Sequence, residues 1–218
     1  MPLRHLLLLF FVAISICNAG GLSAQPLATP DSAIASDAYS ASLLLSRYIR
    51  FASVTGHERE AGEWLSGFCE VQGLAIQRFS REEGSYAFAA SLYPLATDKP
   101  NVVLESHIDV VDAGDPSRWV HPPFAGLIVN DTLWGRGAID EKAQTVMQLE
   151  ALLRFLPEAR AHDLPFNVTL LCVGGEETTS AGARLVASKF WDKLNAVVVI
   201  GEGGSGVSNL PVSARSYL

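Results

Sequence analysis

The chain has 218 residues, 49% hydrophobic and 18% charged, enough apolar material for a substantial core, which excludes a wholly disordered polypeptide. Sixteen Lys and Arg against 23 Asp and Glu give a formal charge of −7. No basic cluster appears, so a nucleic-acid partner is not expected.

Arg4 and His5 precede the apolar run Leu6 to Ile16, and small residues follow around Ala19 and Ala24. This is a signal-peptide pattern over 1–24, because about 11 apolar residues are too few for a permanent membrane span. It predicts export, to a periplasm or beyond the cell. Cys17 follows the bulky Ile16 where a lipobox wants a small residue, so lipidation is not expected. Residues 25–38, rich in Ala, Ser and Pro, read as a flexible linker. The two remaining cysteines, Cys69 and Cys172, fall in apolar helix and strand patterns and read as buried free thiols.

From residue 39 to about 210 the chain reads as one domain. Asp37 can cap a helix bearing Leu44, Tyr48 and Phe51. A second helix from about Glu58 carries Ala61, Trp64, Leu65 and Phe68 and ends at Gly73. Strand patterns follow at Leu74 to Phe79, Tyr86 to Tyr93 and Asn101 to Ser106. Asn130-Asp131 marks a turn between Leu127-Ile128-Val129 and Thr132-Leu133-Trp134. A helix over Glu141 to Phe155, a buried strand at Phe166 to Val173, a helix at Ala181 to Phe190 and a buried strand at Ala196 to Ile200 complete an alternation that predicts a layered α/β/α domain. Residues 211–218 read as the opening of a further segment.

Chemistry gathers where the apolar runs stop. His107 ends one strand, and Asp109, two residues on, points to the same side in extended chain, where it can accept the second ring N–H and fix the tautomer. The bland alternative is a solvated His and Asp at a strand end. Asp140 follows Gly135-Arg136-Gly137 and could bridge two metal ions or simply cap the next helix. Glu176 and Glu177 repel each other after a buried strand unless cations or protons intervene; one could hold a metal while the other takes a proton from the attacking water. They could also be the acidic first turn of the next helix. Glu202 follows Val197-Val198-Val199-Ile200, and Gly201, Gly203 and Gly206 around it have the spacing of a dinucleotide fingerprint. Val207-Ser208-Asn209-Leu210-Pro211 is a poor helix start, which counts against nucleotide binding. No Gly-x-Ser-x-Gly elbow is present.

The order His107-x-Asp109, Asp140, Glu176-Glu177, Glu202 resembles the zinc exopeptidase family of aminoacylase, carboxypeptidase S and succinyl-diaminopimelate desuccinylase. Trp119-Val120-His121-Pro122-Pro123-Phe124 and Leu133 to Lys142 are most similar to its carboxypeptidase S branch. The resemblance implies a three-layer catalytic domain on a mixed, mostly parallel sheet, and a hydrolase with two Zn²⁺ ions, for which Co²⁺ or Mn²⁺ could substitute. His107 and Glu202 would hold one zinc and Glu177 would be part of the site of the other, with Asp140 bridging. Asp109 would orient His107, and Glu176 would be the general base. The implied substrates are small peptides, cleaved as by a carboxypeptidase, or N-acyl amino acids. Many relatives in that branch have Asp-Glu before Gly-Gly; here Gly201 precedes Glu202, leaving Glu202 as the one acidic candidate. The family also takes a late His ligand and a lid and dimerisation domain from beyond the point where this chain ends. The expectation is therefore an N-terminal portion, weak or inactive alone, with a homodimer only in a longer form. The rival readings are a non-catalytic interaction fragment of the same fold and a nucleotide-binding domain.

Overall fold

A computed structural model of the chain describes residues 32–202, with side chains from residue 41 onward. The signal-peptide segment, the start of the linker, Gly203, Gly206 and residues 211–218 lie outside the described residues.

Helix α1 (Ser32–Ile49) begins inside the segment expected to be a linker, so Asp37 lies within the helix rather than at its start. Helix α2 (Arg59–Gln72) ends as expected at Gly73, whose φ of 95° is the left-handed conformation that glycine adopts without steric cost. Strands β1 (Ala75–Ser80), β2 (Ala87–Ser91) and β3 (Asn101–His107) follow. The predicted turn joins β4 (Leu127–Val129) to β5 (Thr132–Trp134) in a separate hairpin, with Asn130 and Asp131 both at positive φ. Helix α3 (Lys142–Ala161) runs past the expected end, through Pro157, because Leu156 and Ala159 in its last turns still pack into the core. Then come β6 (Asn167–Val173), α4 (Ala181–Lys189), α5 (Trp191–Leu194) and β7 (Ala196–Ile200).

The main sheet has the order β1-β2-β6-β3-β7 among the described residues. β2 pairs antiparallel with both β1 and β6, whereas β3 pairs parallel with both β6 and β7. Four of the five strands therefore point one way, and the expected mixed, mostly parallel sheet is present. Side chains alternate between two cores. Phe88, Leu170 and Cys172 join Tyr48, Leu65, Leu149 and Leu152 from α1, α2 and α3 on one face. Ala87, Val103, Leu171 and Val173 join Val186 and Leu194 from α4 and α5 on the other. Helices on both faces make the three layers.

A further expectation fails. β7 has the composition of a buried strand, yet Val197 is 63% exposed and Ile200 51%. It pairs with β3 along one side only, so its apolar residues sit at the edge of the sheet described here.

Cys69 and Cys172 are free and fully buried, as read from the sequence. Burial pushes the Cys69 thiol up to about 12 and raises that of Cys172 as well. Since the thiolate is the reactive species, both should resist iodoacetamide at about pH 8 and become alkylated only in denaturant, as mass spectrometry of their peptides would show.

Candidate metal centre

Parallel pairing sends the ends of β3, β6 and β7 to one edge of the sheet, where ligands bind in open α/β folds. His107 is the last residue of β3, Glu176 lies three residues beyond β6, and Glu202 lies two beyond β7. Asp140 enters from the loop after β5.

His107 is 1% exposed, and its two ring nitrogens face opposite chemistry. Nδ1 is 2.8 Å from the main-chain oxygen of Asp109, which can only accept, so Nδ1 carries the proton there. The sequence reading gave this role to the Asp109 carboxylate, whose nearer oxygen is 3.8 Å away. Nε2 faces Asp140 Oδ1 at 3.1 Å, Glu141 Oε2 at 3.5 Å, Glu202 Oε1 at 3.7 Å and Glu176 Oε2 at 3.9 Å. A neutral imidazole in this tautomer presents a lone pair to four carboxylates, an arrangement of acceptors that requires a proton or a cation among them. His107, Asp140 and Glu202 each offer one ligand atom within 4.8 Å of the others. A borderline nitrogen with carboxylate oxygens suits a divalent ion such as zinc.

The electrostatics point the same way. Burial alone would lower His107, but Glu141, then Asp109 and Glu202, hold it above its ordinary range. Burial raises Glu202 and Glu177, and the charge of Asp140 raises both further. The shifts of Glu177 and Glu202 come first from burial and then from the crowding of carboxylates. Glu177 stands beside the trio, its Oε1 accepting from Val111 N–H at 3.3 Å.

Two bland alternatives fail on geometry. Glu141, not Asp140, precedes the first turn of α3, and Glu176 and Glu177 lie in a turn before α4, whose first turn has no acidic residue. The dinucleotide alternative would need a helix opening after Gly201, which falls outside the described residues.

Asp109 does something other than expected. It is wholly buried; Oδ1 accepts from Glu176 N–H at 3.0 Å, while Oδ2 accepts from Glu177 N–H at 3.3 Å and from the Thr55 hydroxyl at 2.7 Å. It thus ties the turn bearing both glutamates to the segment 53–55, which pairs with Val110. Thr55 lies in the segment Ser53 to Gly56, which also resembles the family's opening segment but carries no catalytic role in the sequence, and its contact with Asp109 appears only in the fold.

Glu141 and Lys142 were also missed. Glu141 is 1% exposed, accepts from His107 N–H at 2.9 Å, and is pushed up to about 7 by burial. The Asp140–Glu141 peptide bond is cis. Lys142 is fully buried, with Nζ donating to Phe51 O at 2.7 Å and Tyr48 O at 3.1 Å and lying 4.6 Å from the Tyr48 ring centre. Burial lowers its ammonium to about 7. Its side chain pins the Asp140 loop to the end of α1.

Beneath the Glu176 turn, buried Glu58 accepts from Gly56 N–H at 2.8 Å and packs on Gly174, where an added Cβ would stand 2.7 Å from Glu58 Cγ. Gly174→Ala should cost about 1–3 kcal/mol in urea denaturation by displacing the turn.

A mostly parallel α/β/α sheet with a His and carboxylate cluster at its strand ends is the class of domain that can hold a metal ion at the carboxyl ends of its strands. Residues 103–214 match the profile of Peptidase family M20/M25/M40, over half of the chain, and the chain belongs to that family. It is similar to the succinyl-diaminopimelate desuccinylases of Xanthobacter autotrophicus, 34% identical over 62% of this chain and 34% of that protein, and of a Methylobacterium species, 35% identical over 75% and 46%. Among solved structures it resembles an M20 family metallo-carboxypeptidase from Sulfolobus solfataricus, with TM-score 0.64 and 26% identity over 78% of this chain and 38% of that one. Human carnosine dipeptidase 1, at TM-score 0.62 and 20% identity over 77% and 39%, shares the fold. The chain thus spans less than half the length of these relatives.

Proposed function

We propose that the complete protein is a zinc hydrolase that cleaves the amide bond of an N-acyl amino acid or small peptide. The observation that carries this is the convergence of four carboxylates on His107 Nε2. His107, Asp140 and Glu202 would hold one ion, and Asp140 with Glu177 would contribute to a second. Zinc held there would supply Lewis acidity to the amide carbonyl and the attacking water.

The remaining work belongs to the chain. Glu176, with a side chain 36% exposed and its main chain fixed by Asp109, would take the proton of the attacking water and pass it to the leaving nitrogen. The Asp109 main-chain oxygen holds the His107 tautomer, and burial of His107 and Glu141 keeps bulk water from behind the reacting face. The desuccinylases and the metallo-carboxypeptidase to which the chain is similar support an amide substrate.

The test is Glu176→Gln. Hydrolysis of N-acetyl amino acids by the complete protein should fall by about 10²–10⁴ while bound zinc, measured by atomic emission, is unchanged. Full activity in that variant, or a wild-type protein that binds no zinc, would overturn the reading.

A further inference from the structure

Glu105 is an acid without a described donor at the back of the metal centre. Side chains alternate along β3, so Val103, Glu105 and His107 share one face: Val103 joins the core beneath α4 and α5, His107 reaches the cluster, and Glu105 stands between them, half-buried. Its main-chain oxygen accepts from Gln148 Nε2 at 3.4 Å, but no donor among the described residues reaches its carboxylate. Burial raises that carboxyl, His107 draws it back, and Glu202 and Glu176 raise it again, so all three act on it from close by.

The carboxylate lies against Gly201. Leu104 pairs with Ile200 in the parallel register of β3 and β7, which brings the next residues, Glu105 and Gly201, side by side. A Cβ added at Gly201 would stand 2.5 Å from Glu105 Oε2 and 3.5 Å from Glu105 Cβ. Gly201 is not in the left-handed region, so the glycine serves by its missing side chain rather than by backbone freedom. Glu202, the next residue, has a side chain 38% exposed, with Oε1 3.7 Å from His107 Nε2. Whatever fixes the main chain at Gly201 therefore fixes the direction of Glu202.

We propose that Glu105 is a positioning residue of the metal centre: its carboxylate fills from β3 the space that a side chain at position 201 would take, and its charge turns Glu202 toward the ion. It stands outside the trio of ligand atoms within 4.8 Å, which is His107, Asp140 and Glu202. A half-buried carboxylate without a donor costs folding free energy, whereas beside a bound dication the same charge is attracted. Repulsion from Glu105 also disfavours any rotamer that swings Glu202 back over the sheet. The placement gives a physical reason for Gly201 where many relatives in the carboxypeptidase S branch have Asp, since the acid stands on the neighbouring strand instead. This rests on the metal centre proposed above.

The test is zinc affinity by chelator competition in wild type, Glu105→Gln, Glu105→Ala, and Glu105→Ala combined with Gly201→Asp. Glu105→Gln keeps the shape and removes the charge; it should weaken zinc about tenfold with a urea midpoint no lower than wild type. The double variant, whose new carboxylate enters the vacated space, should bind within about threefold of wild type and more tightly than Glu105→Ala. The visible spectrum of Co²⁺-loaded Glu105→Gln should match wild type, because no ligand is removed. Wild-type affinity in Glu105→Gln, a double variant no tighter than Glu105→Ala, or a changed Co²⁺ spectrum in Glu105→Gln overturns the proposal. A wild-type protein that binds zinc beside an unaffected Glu105→Gln sinks the positioning role alone, and a wild-type protein that binds none sinks the metal centre with it.

Discussion

Asp140→Ala should bind zinc at least about 100-fold more weakly than wild type while unfolding at nearly the same urea concentration. Asp140 faces His107 Nε2 at 3.1 Å and belongs to the trio within 4.8 Å, so its loss removes a ligand and the proposed bridge between two ions. Outer partners of metal ligands are already worth about 10–100-fold in affinity, and a bridging ligand should exceed that. Stability should hardly change, because the Asp140 side chain is 64% exposed and its contact among the described residues is with the His107 ring at the cluster itself. Removing one of several crowded carboxylates also relieves repulsion, as the raised Glu177 and Glu202 attest. Chelator competition would give the affinity, and the visible spectrum of the Co²⁺-loaded protein would report the loss of a ligand. Wild-type affinity in this variant would show that the cluster is not the metal centre.

Asp109→Ala should have the opposite signature, losing about 3–5 kcal/mol of stability. The substitution strands two main-chain N–H groups, those of Glu176 and Glu177, and the Thr55 hydroxyl, all of which now donate to one buried carboxylate. Each orphaned donor costs about 1–3 kcal/mol, and relief of the buried charge offsets part of the sum. The released turn carries Glu176 and Glu177, so zinc affinity should fall as well, but as a consequence of the lost order. Thr55→Val tests the division: it removes one donor along with its need for a partner and should cost only about 1 kcal/mol with zinc binding retained. A stable Asp109→Ala protein would mean that the turn is held by other contacts.

Most of the fold was legible along the chain because its signals are local. The period-two and helical apolar patterns place β2, β3, β6 and α2 within a residue or two, and Asn130-Asp131 marks the hairpin turn, since positive φ is an intrinsic tolerance of those residue types. Helix α3 outran its predicted end because packing of Leu156 and Ala159 outweighs the break that Pro157 suggests. The exposure of β7 was illegible for a related reason: Val197 to Ile200 read as buried whichever neighbours are present, and burial is a property of the neighbours.

The candidate site divides along the same line. Which residue types could make a metal centre, His107, Asp140, Glu176, Glu177 and Glu202, was determined by the sequence alone, because charged groups at the ends of apolar runs are costly unless they serve chemistry. That His107, Asp140, Glu176 and Glu202 converge, that the main-chain oxygen of Asp109 sets the tautomer while its carboxylate holds the glutamate turn, and that Thr55, Glu141 and Lys142 support them was decided by the tertiary structure. Thr55 and Asp109 are 54 residues apart, and Lys142 and Phe51 are 91 apart. Hydrogen bonds reach about 3 Å, so such pairs exist only once parallel strands and packed helices have closed those loops.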